Sequence, residues 1–414
     1  MQASLPGLDP ARLASALADP ELLAAGTGLT LRARLMSGAE GLDIVLDAGQ
    51  PQAQPMRGEA EIALEAPGAT WLGVLSALPP PGSQSFTALQ LKNPEARIAG
   101  DPLHIAQARA FLERLPELLR PPLPATPPTP RDLSGITGRY RTLQTAEESF
   151  EIFVEEAGQG VPVVLLHTAG ADARQYQALL ADPQLTARHR LIAFDAPFHG
   201  RSSPPLGWDG GAYRLTQARY LDWVGAFLRD VVAEPAVLVG CSMGAAITLV
   251  AAAEIPELLR GAIALEPPLR APGRRNPFLA HAAVATGLHN AAYVRGLMSP
   301  SSPEAQRRRA GWIYAQGGPG IYAGDLSFYS DEFDGAVVGP RIDTARVPLQ
   351  LLTGEYDYSA PPEQGEELAR LIPGAVFRRM PGLGHFPMTE DPDHFLQYFR
   401  PALEAVATVR QSAD

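Results

Sequence analysis

Pro235-Ala236-Val237-Leu238-Val239-Gly240-Cys241-Ser242-Met243-Gly244-Ala245-Ala246-Ile247-Thr248-Leu249-Val250 is the stretch whose reading decides the fold. Its first residues are an apolar run of strand length, and those after Gly244 are small and apolar, as in a buried helix. Between them lies a sharp turn with Ser242 at its apex. A turn this tight needs minimal side chains two residues either side of the apex, which Gly240 and Gly244 supply. The turn lifts a hydroxyl out of the sheet beside a helix N-terminus that stabilises negative charge. Ser242 is therefore a candidate nucleophile; the competing reading is an ordinary exposed serine on a glycine-rich turn.

Two later stretches supply partners. Leu349-Gln350-Leu351-Leu352-Thr353-Gly354-Glu355-Tyr356-Asp357 reads as a buried strand followed by a turn bearing carboxylates. Pro381-Gly382-Leu383-Gly384-His385-Phe386-Pro387 reads as a loop carrying a histidine after the last strand. Upstream lie Val163-Val164-Leu165-Leu166-His167-Thr168-Ala169-Gly170 and Asp195-Ala196-Pro197-Phe198-His199-Gly200-Arg201-Ser202. With the order Ser242, Asp357, His385, these motifs resemble the α/β-hydrolase superfamily over roughly residues 137–407.

The residue types suit the chemistry. A serine hydroxyl needs a base to take its proton as it attacks. Histidine, with an ordinary pKa of about 6.5, accepts and returns that proton near neutrality. A buried carboxylate orients the imidazole and stabilises the imidazolium. Two backbone N–H groups then hold the oxyanion. One is expected from Met243, directly after the nucleophile; the resemblance implies that the other comes from Ala169. The chain carries Thr168 where relatives usually have glycine, which leaves the local loop geometry open.

Other residues compete for roles. Glu355 is the rival acid to Asp357. His167 and His199 read as structural hydrogen-bonding residues, and Cys241 as a neighbour of the nucleophile that points away from it. Tyr358, Trp312, Tyr314, Tyr322 and Phe328 are candidates for a substrate pocket, with ordinary packing as the alternative for each. No zinc-type His/Cys spacing exists, and no Walker or dinucleotide-binding glycine loop follows a first strand, so the chemistry is expected to need no cofactor. A serine at the apex also argues against the dehalogenases and epoxide hydrolases of this fold, where the resemblance implies aspartate.

The chain has 414 residues, enough for more than one domain. The net charge of −11, with no long Lys/Arg run, argues against nucleic acid or an anionic membrane surface as partner. Cys241 is the only cysteine, so no internal disulfide can form, which suits a reducing cytoplasm. No secretory signal pattern opens the chain. The longest apolar stretch, 236–253, holds the serine turn in its middle and reads as strand plus helix rather than a membrane span.

The proline-rich segment 121–130 marks a semi-rigid linker, placed at 121–131 between a front piece (1–120) and a hydrolase piece (132–414). In the latter, strands predicted over 150–155, 161–167, 191–195, 236–240, 261–266, 348–354 and 375–380 alternate with helices over 173–180, 215–232, 243–254, 362–371 and 394–407. That alternation implies an α/β fold, a mostly parallel sheet with helices on both faces. The rhythm breaks between 267 and 346, where helical fragments over 280–289 and 304–315 read as a cap inserted over the site. The front piece reads as α+β: helices over 10–17, 69–78 and 102–119, and strands over 29–36, 42–47, 59–65 and 95–99.

Leu42-Asp43-Ile44-Val45-Leu46-Asp47, Glu61-Ile62-Ala63-Leu64, Ala69-Thr70-Trp71-Leu72-Gly73-Val74-Leu75 and Ala96-Arg97-Ile98-Ala99-Gly100-Asp101 resemble the sterol carrier protein 2 family over about residues 10–119. That resemblance implies an apolar cavity for a lipid or acyl ligand; the alternative is a piece that only packs against the hydrolase or forms a homodimer. The sequence thus predicts a cytoplasmic serine hydrolase acting on a small-molecule carboxylic ester, lactone or thioester, with an apolar substrate if the front piece binds lipid. The alternatives are a hydrolase of the carbon–carbon bond of a diketone, and a lipid-binding or scaffold protein with a vestigial hydrolase half.

Overall fold

A computed structural model of the chain describes residues 5–124 and 127–408. The chain divides into two compact units, one of residues 1–127 with 277–311, the other of 128–276 with 312–414. Residues 125 and 126 of the expected linker lie outside the described residues; those on either side are irregular, as so many prolines require.

The first unit is built on strands β1 (Leu31–Ser37), β2 (Glu40–Asp47), β3 (Gln50–Gln54), β4 (Ile62–Glu65) and β5 (Arg97–Gly100), in sheet order β3-β2-β1-β4-β5. The sequence reading overlooked β3, Gln-Pro-Gln-Ala-Gln, because it has no apolar alternation. As an edge strand paired only with β2 it needs none, and it tolerates its proline. Asp101 caps the long helix Pro102–Leu119 by accepting from the Leu103 and His104 amides. This helix covers the sheet, burying Phe111, Leu112 and Leu115 with Leu42, Ile44 and Leu64. The cavity left among Leu35, Leu64, Phe86, Leu112 and Leu115 measures about 10 Å³. That is room for about one water, so the cavity expected for an acyl chain meets a filled core here.

The expected single cap, 267–346, is divided: its stretch 277–311 belongs to this first unit. The helix predicted over 280–289 forms instead as Thr286–Gly296. It packs on Pro102–Leu119, where Gly296 permits the approach, since a Cβ there would come within 3.1 Å of Glu113 Oε2. A buried charge cluster also holds the segment. Glu117 accepts from Arg295 (2.8 Å), Arg114 (3.0 Å) and Arg307, while Glu304 accepts from Arg295 at 2.7 and 2.8 Å. Burial opposes the charge on Glu117, but Arg295 and Arg307 outweigh it and hold its pKa below the usual carboxylate range.

The second unit contains β6 (Thr137–Gln144), β7 (Ser149–Ala157), β8 (Val161–Leu166), β9 (His189–Phe194), β10 (Ala236–Cys241), β11 (Leu259–Leu265), β12 (Leu349–Gly354) and β13 (Val376–Met380). Their order is β13-β12-β11-β10-β8-β9-β7-β6, with β6–β7 and β7–β9 antiparallel and the other pairs parallel. The central strands β8, β10, β11 and β12 are almost wholly buried, as covered parallel strands must be. β6 is an exposed edge and escaped the sequence reading for the same reason as β3. No helix of the described residues is long and apolar enough to cross a membrane.

Candidate active site

Ser242 stands where β10 meets the helix Met243–Glu254, with φ 56° and ψ −112°. A Cβ on Gly240 would lie 2.0 Å from the Gly244 carbonyl oxygen, and one on Gly244 would lie 2.5 Å from that of Leu166. Backbone contacts of this kind cannot relax, so both glycines are steric requirements of the turn. The Ser242 amide donates to Leu265 O at 2.9 Å, tying the turn to the end of β11.

The loops after β12 and β13 bring Asp357 and His385 to this serine. His385 Nε2 lies 2.9 Å from Ser242 Oγ, and His385 Nδ1 lies 2.7 Å from Asp357 Oδ2. Asp357 Oδ1 accepts from the amides of Ser359 (2.7 Å) and Ala360 (3.1 Å). All three side chains are buried, so these bonds act where water competes little. Glu355, the rival acid, accepts instead from the Gly382 amide at 3.0 Å. Cys241 Sγ donates to the His385 carbonyl, and burial, with Glu266 beside it, pushes the thiol pKa far up; it is no nucleophile here.

The loop after β8 is held on both sides of Ala169. Thr168 donates through its amide and hydroxyl to Gln175 Oε1, at 3.0 and 3.1 Å, and its hydroxyl also bonds Tyr314. The Gly170 amide donates to Asp325 Oδ2 at 2.7 Å. The open question about Thr168 is thereby answered: the left-handed position is Gly170, at φ +71°, and Thr168 is anchored by its own side chain. Met243, whose amide was expected to face the oxyanion with that of Ala169, is the first residue of its helix.

His167 and His199 bind turns together. His167 Nδ1 donates to Thr168 O (2.9 Å) while Nε2 accepts from the Ala196 amide (3.1 Å), which makes the ring neutral; burial and the nearby His199 lower its pKa. Of the five aromatic residues offered as pocket lining, Trp312 is 63% exposed, and Phe328 packs in the core against Tyr220 and Phe333. Tyr314 stands over the loop, edge-on to Phe386, and Tyr322 closes on Gly170. Tyr358 is buried.

Three site residues escaped the sequence reading. Glu266, at the carboxyl end of β11, is fully buried and accepts from the Gly354 amide at 3.0 and 2.9 Å. Burial and the adjacent Asp357 push its pKa far up, which favours its protonated form. Tyr329 is buried, and its hydroxyl faces Ser242 and Ser359 while making no well-formed hydrogen bond; burial pushes its pKa up to about 12. Asp325, on the inserted helix Ile321–Leu326, accepts from Gly170, His199 and Tyr213. Only Glu266 left a signal, an acid ending a buried strand. Glu266, Asp357 and His385 hold ligand-type atoms within 4.8 Å of one another. Those of Asp357 and His385 are engaged in directional hydrogen bonds with each other and with the Ser359 amide, which suits proton handling better than metal binding.

The model of the "Alpha/beta hydrolase family" matches residues 163–396. A pimeloyl-[acyl-carrier protein] methyl ester esterase of Methylococcus capsulatus is 29% identical over 256 residues, 57% of this chain and 92% of that one. An esterase structure from Thermogutta terrifontis superposes with TM-score 0.54 at 23% identity, over 65% of this chain and all (100%) of that one. The enol-lactonase of Burkholderia xenovorans does so with TM-score 0.55 at 19% identity, over 64% of this chain and 100% of its own.

Proposed function

Because the chain belongs to the alpha/beta hydrolase family, and is a hydrolase of that type, we propose that it cleaves carboxylic esters or lactones through an acyl-enzyme on Ser242. The observation that carries this reading is the continuous bond path Ser242 Oγ–His385 Nε2 and His385 Nδ1–Asp357 Oδ2. As Ser242 Oγ attacks the substrate carbonyl, its proton passes to His385 Nε2. The imidazolium so formed lies against Asp357, whose Oδ2 is 2.7 Å from Nδ1. The oxyanion forms beside the N-terminus of the helix Met243–Glu254, where the Met243 and Ala169 amides serve as donors. Collapse expels the alcohol, which takes the proton from His385. Water then gives a proton to His385 and attacks the acyl carbon; Ser242 leaves, regains its proton, and the acid departs.

The methyl ester named for the Methylococcus relative and the enol-lactone named for the Burkholderia structure support a small ester or lactone as substrate class. The test is hydrolysis of short p-nitrophenyl esters and simple lactones by the full chain, with fluorophosphonate labelling mapped by peptide mass spectrometry. Label on Ser242, and loss of both label and turnover in Ser242→Ala, are expected. Turnover that survives Ser242→Ala would sink the proposal.

A further inference from the structure

Asp325 is a fully buried carboxylate that no step of the reaction above uses. A lone buried carboxylate is costly, so its partners explain its presence. It takes bonds from three distant segments: the Gly170 amide (2.7 Å) and His199 Nε2 (2.8 Å) on Oδ2, and the Tyr213 hydroxyl (2.8 Å) on Oδ1. His199 Nδ1 in turn faces the Pro197 carbonyl at 2.9 Å. Both ring nitrogens thus face acceptors, and only an imidazolium donates from both. Burial works against that charge, but Asp325 outweighs it, and the His199 pKa is raised. The result is a buried ion pair whose anion holds one end of the loop that presents Ala169.

We propose that Asp325 is a positioning residue for oxyanion stabilisation: by fixing the Gly170 amide, with His199 as its counter-ion, it sets the orientation of the Ala169 N–H. This rests on the serine-hydrolase reading above. The loop is short, and its other end is fixed through Thr168 to Gln175. A peptide held at both neighbouring amides has little freedom to rotate, and electrostatic catalysis depends on donors fixed before charge develops. Because Asp325 lies on the inserted helix Ile321–Leu326, the insertion contributes to the oxyanion site as well as to its surroundings.

The test compares the full chain with Asp325→Ala and Asp325→Asn. Readouts are kcat and KM on a p-nitrophenyl ester, inhibition by a trifluoromethyl ketone that adds to Ser242, and binding of the product carboxylic acid. Asp325→Ala is expected to lower kcat about 100-fold, as removal of an oxyanion donor does, with KM within threefold. Ketone affinity is expected to fall with kcat while product affinity holds. Asp325→Asn keeps an oxygen for Gly170 and is expected to stay within about tenfold of wild type. It also serves if the alanine variant does not fold. A folded Asp325→Ala with kcat within threefold of wild type, or ketone and product affinities falling together, overturns the clamp alone. If Asp325→Ala does not fold, the clamp is overturned when Asp325→Asn changes KM and not kcat. Failure of a fluorophosphonate to label wild-type Ser242 overturns the serine-hydrolase reading and the clamp with it.

Discussion

Replacing Asp357 by asparagine tests the bond path at its far end, because the surrounding backbone dictates which way the new amide faces. Asp357 Oδ1 is held by two N–H donors, Ser359 at 2.7 Å and Ala360 at 3.1 Å. In Asp357→Asn the carbonyl oxygen must take that place, since an NH₂ group there would face two donors. The NH₂ is then turned toward His385 Nδ1, where the carboxylate oxygen stood at 2.7 Å. His385 must accept at Nδ1 and carry its proton on Nε2, the nitrogen 2.9 Å from Ser242 Oγ. A protonated Nε2 cannot take the serine proton. Wrong-tautomer variants of this kind lose about 10⁴-fold in kcat, which is about 5 kcal/mol of transition-state stabilisation. The assay is steady-state ester hydrolysis, with fluorophosphonate labelling rate as an independent measure of Ser242 nucleophilicity and circular dichroism to verify the fold. Retention of more than a tenth of wild-type kcat would refute the reasoning. Glu266→Gln in the same background then shows whether the second carboxyl had taken over.

Other consequences concern stability. Glu117→Ala strips a buried anion from Arg295, Arg307 and Arg114; it is expected to cost about 3–5 kcal/mol and to lower the melting temperature by roughly 6–20 °C in a thermal scan. A shift below 2 °C would mean that the cluster does not hold 277–311. The same contacts bear on whether the hydrolase piece folds without the front piece. Deletion of residues 1–127 removes Glu21, Glu117 and the helix under Thr286–Gly296, and aggregation on size-exclusion chromatography is expected; a monomeric, labelling-competent fragment would contradict this. Glu113 is pushed up to about 7, chiefly by burial. Its folded-state pKa lies above the unfolded one, so the stability it contributes is present at low pH and lost as pH rises from about 4.5 to 7. His289, brought down to about 4 by burial and Arg109, contributes stability that falls away as pH drops from about 6.5 to 4. The melting-temperature difference between Glu113→Gln and wild type isolates the glutamate and should grow between pH 5 and 8; a flat difference would exclude a raised Glu113.

What was legible in the sequence follows from locality. The turn at Ser242 depends on Gly240 and Gly244 two residues away, and the strands β8, β10, β11 and β12 announce themselves as apolar runs because both faces are covered. The edge strands β3 and β6 were silent because an exposed edge asks for no apolar pattern. Asp357 and His385 were legible by their positions after strands, although neither motif contains the distance that makes them partners.

The sequence by itself determined the α/β architecture and the glycine-flanked turn at Ser242, since both are written in short-range chemistry, glycine sterics, proline breaks and hydrophobic period, whereas the choice of Asp357 and His385 as partners came from the resemblance to the α/β-hydrolase superfamily. Only the tertiary structure decided that Glu266 is buried behind Asp357, that Asp325 accepts from the Gly170 amide and faces His199, and that residues 277–311 fold with the front unit. Those features depend on burial and on contacts between segments far apart in the chain. A carboxylate on a helix reads the same in sequence whether it faces water or a buried imidazolium, and the surrounding fold alone sets the difference in its free energy.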